Sequence, residues 1–289
     1  MMEAQKFYTP EELEKQYNVR DSRVDYETNI VPSWTDRSSK ARKNLNCKLD
    51  IFYGNSEKQK FDLFYSGIKD DPTLIFFHGG YWQRGDKSVY SFLADSFVKH
   101  NINLILVGYD LCPKVSMTEI VQQSREALMW IWKNSDELKI QSDKLIVSGH
   151  SAGGHITGMM MGTDWSQISN DLPIDFIKAG IPISALNLLE PIRYTSINNA
   201  LHMDQEEAKN QSPIFFPPTT NVKQLVVCGQ AETKEFHRQS DIYVDAFKTE
   251  NRKIYRYNVP NADHFDEMND LSNEDSEFFK KIKYFIQKL

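Results

Sequence analysis

The chain has 289 residues, 40% of them hydrophobic and 26% charged, which is enough to bury a large core. Its net charge of −6 at pH 7, with no basic cluster, argues against nucleic acid or an anionic membrane as a main partner. No apolar run is long enough to cross a bilayer, and Glu3, Gln5 and Lys6 stand where a signal peptide would be apolar, so a cytoplasmic setting is expected.

Residues 1–45 are polar and irregular, with one charged helix expected at Pro10–Tyr17 and loops through Trp34-Thr35-Asp36. Phe7, Tyr8, Tyr17, Val24, Tyr26, Ile30, Val31 and Trp34 make this extension more apolar than a solvated linker, so it is expected to pack on the domain formed by 46–289. Cys47–Tyr53 and Lys60–Tyr65 alternate apolar with polar residues around Gly54-Asn55 and predict an antiparallel pair of strands.

Beyond that pair the pattern becomes one of buried strands alternating with helices. Thr73–Phe77, Asn103–Gly108, Lys144–Ser148, Phe176–Ile183, Gln224–Gly229 and Lys253–Val259 are the strand candidates. Helical patterns place Tyr90, Leu93, Phe97 and Val98 on one face, then Ile120, Ala127, Leu128, Ile131 and Trp132 on another; further helices are expected at Ile156–Met161, Glu235–Glu250 and Glu274–Gln287. The alternation predicts an α/β fold, a mainly parallel sheet with helices on both faces. Residues 186–218 break the rhythm with prolines and aromatics, as a lid or a long loop would. The three cysteines, Cys47, Cys112 and Cys228, lack metal-ligand spacing and are expected to be buried free thiols.

Gly149-His150-Ser151-Ala152-Gly153-Gly154 lies between a buried strand and a helix. A bare G-x-S-x-G arises by chance in roughly one chain of this length in ten, so the placement carries the weight. Strand, sharp turn and helix are the context of a nucleophile elbow, where glycines keep a strained turn free of clashes and Ser151 is held above the sheet edge. A serine hydroxyl needs a base to take its proton. Of seven histidines, His264 stands on the loop after the last strand, at the carboxyl edge where ligands gather in open α/β sheets. His150 and His155 flank the elbow, His100, His202 and His237 are expected in helices, and His78 belongs to another motif.

The base needs a carboxylate to fix its tautomer. Glu232 stands at the turn after Gln224–Gly229, with Glu235 as second choice inside the following helix; Asp263 is too near His264 in sequence to reach the far ring nitrogen. Donors for an oxyanion would be the Ala152 N–H and the glycines of His78-Gly79-Gly80-Tyr81-Trp82. Tyr81, Trp82 and Trp165 are candidates for flat apolar pocket walls. Arg84 and Arg193 are candidate partners for a substrate carboxylate, neither singled out by its context.

In this order, His78-Gly79-Gly80-Tyr81-Trp82, the Ser151 elbow, Glu232 with Glu235-Phe236 and Gln239-Ser240, then His264-Phe265, the chain resembles the α/β-hydrolase fold and its kynurenine formamidase (arylformamidase) branch. The similarity extends to Glu12–Asn18, to Tyr53-Gly54 and to Phe61–Phe64, and so covers most of the chain. The resemblance implies hydrolysis of N-formyl aryl amides such as N-formylkynurenine, with release of formate and without a metal or organic cofactor. It implies Ser151 as nucleophile, His264 as base and acid, Glu232 as orienting acid, and Gly79, Gly80 and Ala152 as oxyanion donors. Relatives of this kind often pair, which suggests a homodimer. The chain departs from the pattern at Glu232, where many relatives carry aspartate. A carboxylesterase for small acyl or aryl esters is the alternative, since one triad serves many substrates. A non-catalytic ligand-binding relative is the more distant one, and the presence of His264 counts against it.

Overall fold

The computed structural model describes residues 8–68 and 70–289. Eight strands form one sheet: β1 (Cys47–Phe52), β2 (Lys60–Phe64), β3 (Thr73–Phe77), β4 (Asn103–Val107), β5 (Leu145–His150), β6 (Ile177–Ile183), β7 (Lys223–Gly229) and β8 (Ile254–Val259). Their order is β1-β2-β4-β3-β5-β6-β7-β8. β2 runs antiparallel to both β1 and β4, and every other neighbour is parallel. β3, β4 and β5 are buried along their whole length because helices cover both faces, which is why Leu74–Phe77, Leu104–Val107 and Leu145–Val147 are unbroken apolar runs. Edge strand β1 keeps residues exposed along its length, and Cys47 is accordingly half-buried rather than buried. Cys112 and Cys228 are buried, and all three thiols are free.

The first helix spans Pro10–Tyr17, with a Thr9–Glu12 capping box and Pro10 at its start. The loops expected through Trp34-Thr35-Asp36 are instead a helix, Val31–Asn44. Its buried stripe is only Trp34, Ser38 and Ala41, one residue per turn, too sparse to mark a helix by hydrophobic spacing. That stripe is held specifically: Trp34 stacks on Phe92 with ring centroids 5.3 Å apart, and Ser38 Oγ donates to Val89 O at 2.7 Å while accepting from Phe92 N–H at 2.9 Å. Phe7, counted above among the apolar residues of the extension, lies outside the described residues.

The pattern at Tyr90–Val98 divides into a 3₁₀ turn, Lys87–Leu93, and a short α-helix, Ala94–Val98. His100 therefore falls in a turn, and His202 caps the helix Asn198–Leu201 in a left-handed conformation; of the three histidines expected in helices, His237 lies within one, Lys234–Phe247. Between β6 and β7 the chain forms short helical pieces, including Asn198–Leu201 and Gln205–Asn210. This segment is fastened from two sides. Gln239 Oε1 accepts from the N–H groups of Asn187 and Leu188, both at 2.7 Å, and His155 Nε2 lies 2.6 Å from Gln211 O. Among the described residues no helix is long and apolar enough to cross a membrane.

Candidate active site

β5 ends at His150 and the helix Ala152–Gly162 begins one residue later, so Ser151 must turn the chain alone. It does so at φ 59° and ψ −117°, a conformation that costs a non-glycine residue about 1–3 kcal/mol. The Ser151 N–H donates to Ile183 O at 2.8 Å, which ties the turn to the end of β6. A Cβ on Gly153 would lie 1.9 Å from Phe77 O, so the elbow requires glycine there because the helix start presses against the end of neighbouring β3.

The loop after β3 closes on the same point. A Cβ on Gly79 would lie 3.2 Å from Ser151 Cβ, and Gly80 has φ +121°, a backbone state reserved for glycine. His78 braces this loop from behind: its ring stacks on Tyr109 at 4.4 Å, Nδ1 is 2.8 Å from Gly79 O, and Tyr109 OH donates to His78 O at 2.7 Å. Burial pushes the His78 imidazole down to about 4, so it stays neutral. Ala152 occupies the first helical position, where an N–H has no intrahelical partner.

His264 follows β8 and faces Glu232, which sits in the turn after β7 with its N–H on Gly229 O at 3.2 Å. His264 Nδ1 lies 3.0 and 3.1 Å from the two Glu232 oxygens, and both side chains are nearly or fully buried. The imidazole is packed against His150 and Phe236, with ring centroids 4.4 and 4.8 Å away. The extra methylene of Glu232, compared with aspartate, is thus accommodated by the turn. Glu235 points elsewhere: it accepts from Tyr17 OH at 2.5 Å and pairs with Arg238 at 2.7 Å. Asp263, beside His264, pairs with Arg23.

Ser151, His264, Gly79, Gly80 and Tyr81 line one cavity, together with Arg84. Two of the candidate pocket walls do not reach it. Trp82 is fully buried, edge-on to His155 at 4.9 Å, and Trp165 packs edge-on against Phe176 with its indole N–H on Met160 O at 3.2 Å. Both are core residues, because the elbow helix they touch is itself buried throughout. Tyr81 faces the cavity and sends its hydroxyl to Tyr17 O. Arg193 is held by Glu190 at 2.7 Å, whereas Arg84 makes no ion pair among the described residues.

Sequence reasoning missed two residues behind His264. Ser184, directly after β6, has its Oγ within hydrogen-bond reach of Glu232 Oε1 and 2.7 Å from Oε2 of Glu267. Glu267 is fully buried; burial first, and then the charge of Glu232, hold its carboxyl well above the usual carboxylate range. Its segment, Asp266-Glu267-Met268-Asn269-Asp270, resembles a solvated helix start, and nothing in that string separates Glu267 from Asp266. Among the described residues, His150, His264 and Glu267 are a group whose ligand atoms lie within 4.8 Å of one another and could hold a metal. Their chemistry suits one poorly: Glu267 favours its neutral form, and Glu232 already engages Nδ1 of His264.

A sheet of this order, carrying a strained serine between β5 and its helix and a histidine after β8, is the α/β-hydrolase fold. Residues 61–247 match the BD-FAE family. The chain is 32% identical to kynurenine formamidase of Salmo salar, over 92% of each chain, and 30% identical to that of Danio rerio, over 98% of each. A solved candidate thioesterase from Silicibacter sp. TM1040 has a TM-score of 0.82 at 27% identity, covering 96% of this chain and 99% of the other. The chain belongs to the BD-FAE family and is a kynurenine formamidase-like hydrolase.

Proposed function

We propose that Ser151, His264 and Glu232 form a catalytic triad that hydrolyses N-formyl aryl amides such as N-formylkynurenine and releases formate. The observation that carries this reading is the Glu232-bound His264 facing the same cavity as the strained Ser151 and the Gly79-Gly80 loop. Glu232 keeps the Nδ1 proton in place, so Nε2 is the basic nitrogen. His264 takes the Ser151 proton as Oγ attacks the formyl carbon. The N–H groups of Gly79, Gly80 and Ala152 are the donors assigned to the resulting oxyanion. His264 returns the proton to the departing aryl amine, then activates the water that frees formate from the formyl-serine. An aryl amine leaves more readily than an alkyl amine because its ring delocalises the nitrogen lone pair. No metal or organic cofactor enters the scheme.

Kynurenine carries a carboxylate at the end remote from its amine-bearing ring, and Arg84, lining the cavity without an ion-pair partner among the described residues, is the cation assigned to it. Residues 186–218 contribute Ser196 and Ile197 to the cavity wall and are assigned the part of a cover over it. A cytoplasmic setting and a homodimer belong to the same reading, the homodimer resting on the family resemblance. The likeness to a candidate thioesterase supports ester hydrolysis as the second reading, by the same groups.

The test measures formate release from N-formylkynurenine beside hydrolysis of p-nitrophenyl acetate, for wild type, Ser151→Ala and Glu232→Gln. A formamide kcat/KM above about 10⁴ M⁻¹s⁻¹, lost in Ser151→Ala and with kcat lowered up to about 10⁴-fold in Glu232→Gln, is the expected result. Ester turnover without formamide turnover refutes the substrate assignment, and full turnover by Ser151→Ala refutes the nucleophile.

A further inference from the structure

Behind the Glu232–His264 pair, two glutamates converge on one hydroxyl. Ser184 is held by its backbone, at φ 46° with its N–H on Val227 O at 2.9 Å, which fixes its Cβ beside both acids. That Oγ touches Glu232 Oε1 and, at 2.7 Å, Glu267 Oε2. A serine hydroxyl has one proton to give, and an ionised carboxylate can only accept. With both acids ionised, one of these two contacts would hold no hydrogen, and two like charges would face each other in a buried site.

A proton on Glu267 removes both conflicts. Glu267 then donates to Ser184, Ser184 donates to Glu232, and Glu232 keeps its negative charge for His264. The environment assigns the proton to Glu267. Glu232 has the Nδ1–H donor of His264 at 3.0 Å. Glu267 is faced from the end of β5 by His150, whose Nε2 lies 3.5 Å away and which burial and His264 keep neutral. From the β7 side it is faced by Glu232 and the Cys228 thiol, and Arg256 on β8 is the cation that acts on it, without contact.

We propose that Glu267 is a positioning residue of this site, a neutral acid that acts through Ser184 to orient the ionised Glu232 against His264. The proposal rests on the triad reading above. It assigns no contact with substrate to Glu267 and changes no bond in the reaction.

The test compares kcat and KM for formate release by wild type, Glu267→Gln, Glu267→Leu, Ser184→Ala and the Ser184→Ala/Glu267→Leu double variant, with Ser151→Ala alongside. Glutamine retains an N–H donor toward Ser184, so Glu267→Gln is expected to restore kcat to within about threefold of wild type, whereas Glu267→Leu and Ser184→Ala each lose about tenfold or more with KM unchanged. The double variant is expected to lose no more than the worse single one, because both break the same chain of hydrogen bonds. Where Glu267→Leu does not fold, Glu267→Gln and Ser184→Ala carry the comparison. A glutamine variant as impaired as Ser184→Ala overturns the proposal, because the site then needs the charge; additive losses overturn it because the two residues then act separately. Turnover by Ser151→Ala overturns the triad itself, an outcome distinct from either.

Discussion

Glutamine at position 267 also allows the cost of a buried proton to be read as stability. The Glu267 carboxyl is held well above the usual carboxylate range by burial and by the charge of Glu232. In the unfolded chain the same group titrates near about 4.3. Between those values the folded state binds a proton that the unfolded state has released, so folding stability falls as pH rises, by about 1.4 kcal/mol per pH unit. Below the unfolded value both states hold the proton and no penalty exists. Glutamine never ionises, so Glu267→Gln escapes the penalty and should gain on wild type as pH rises.

From about pH 4 to about pH 6 the expected gain is about 2 kcal/mol, most of it arising after the unfolded carboxyl has lost its proton. Urea denaturation of the two proteins at a series of pH values measures it, because pH effects on groups away from Glu267 cancel in the difference. The two slopes with urea should agree, so that the shift in midpoint reports stability alone. Two outcomes would refute the reasoning. A difference that is flat with pH means that Glu267 titrates alike in both states. A wild type that gains on the variant as pH rises means that the folded site stabilises the ionised form.

Two further predictions concern the elbow and the cavity. Gly153→Ala places a Cβ 1.9 Å from the Phe77 carbonyl oxygen, a backbone atom inside the sheet that cannot swing aside; we expect a loss of more than about 3 kcal/mol, seen as a lower urea midpoint or as failure to accumulate folded protein. Arg84→Met should raise KM for N-formylkynurenine about tenfold with kcat little changed, and leave p-nitrophenyl acetate, which has no carboxylate, unaffected; equal effects on both substrates would remove Arg84 from substrate recognition.

The parts of the molecule legible from sequence are those whose physics is local. In Thr73–Phe77 every residue after the first is apolar because the strand is covered on both faces, and a nearly all-apolar run bounded by turns says so directly. Ser151, Glu232 and His264 stand one, three and five residues beyond the ends of β5, β7 and β8, so locating the strand ends already places all three at one edge of the sheet. What chain position could not reveal is which side chains share an interior. Trp82 and Trp165 have pocket-like neighbours in sequence but turn into the core, while the carboxylates of Glu232 and Glu267 meet at Ser184 across 48 and 83 positions of chain. The helix Val31–Asn44 was hidden for a related reason: its anchor is a serine bonded to the backbone of another element, which hydrophobic spacing does not register.

The N-terminal segment shows how far such non-local contacts reach into the site. Tyr81, on the glycine loop beside Ser151, sends its hydroxyl to Tyr17 O, and the Tyr17 hydroxyl in turn donates to Glu235 at the start of the helix after Glu232. A few residues later Arg23 bridges Asp263 and Asp266 on either side of His264-Phe265, and Tyr26 packs on Phe265 with ring centroids 4.7 Å apart. One stretch of chain, 17–26, therefore touches the loop assigned to the oxyanion, the helix that follows Glu232, and the loop of His264. The glycine loop and the loops of Glu232 and His264 leave different strands; the last two are joined by the Ala231 N–H on Ala262 O at 2.9 Å, and the 17–26 segment ties both to the glycine loop. A segment outside the sheet thus braces the loops around the cavity shared by Ser151 and His264, and the aromatic residues that marked the extension as packed, Tyr17 and Tyr26 among them, are the ones that make these contacts.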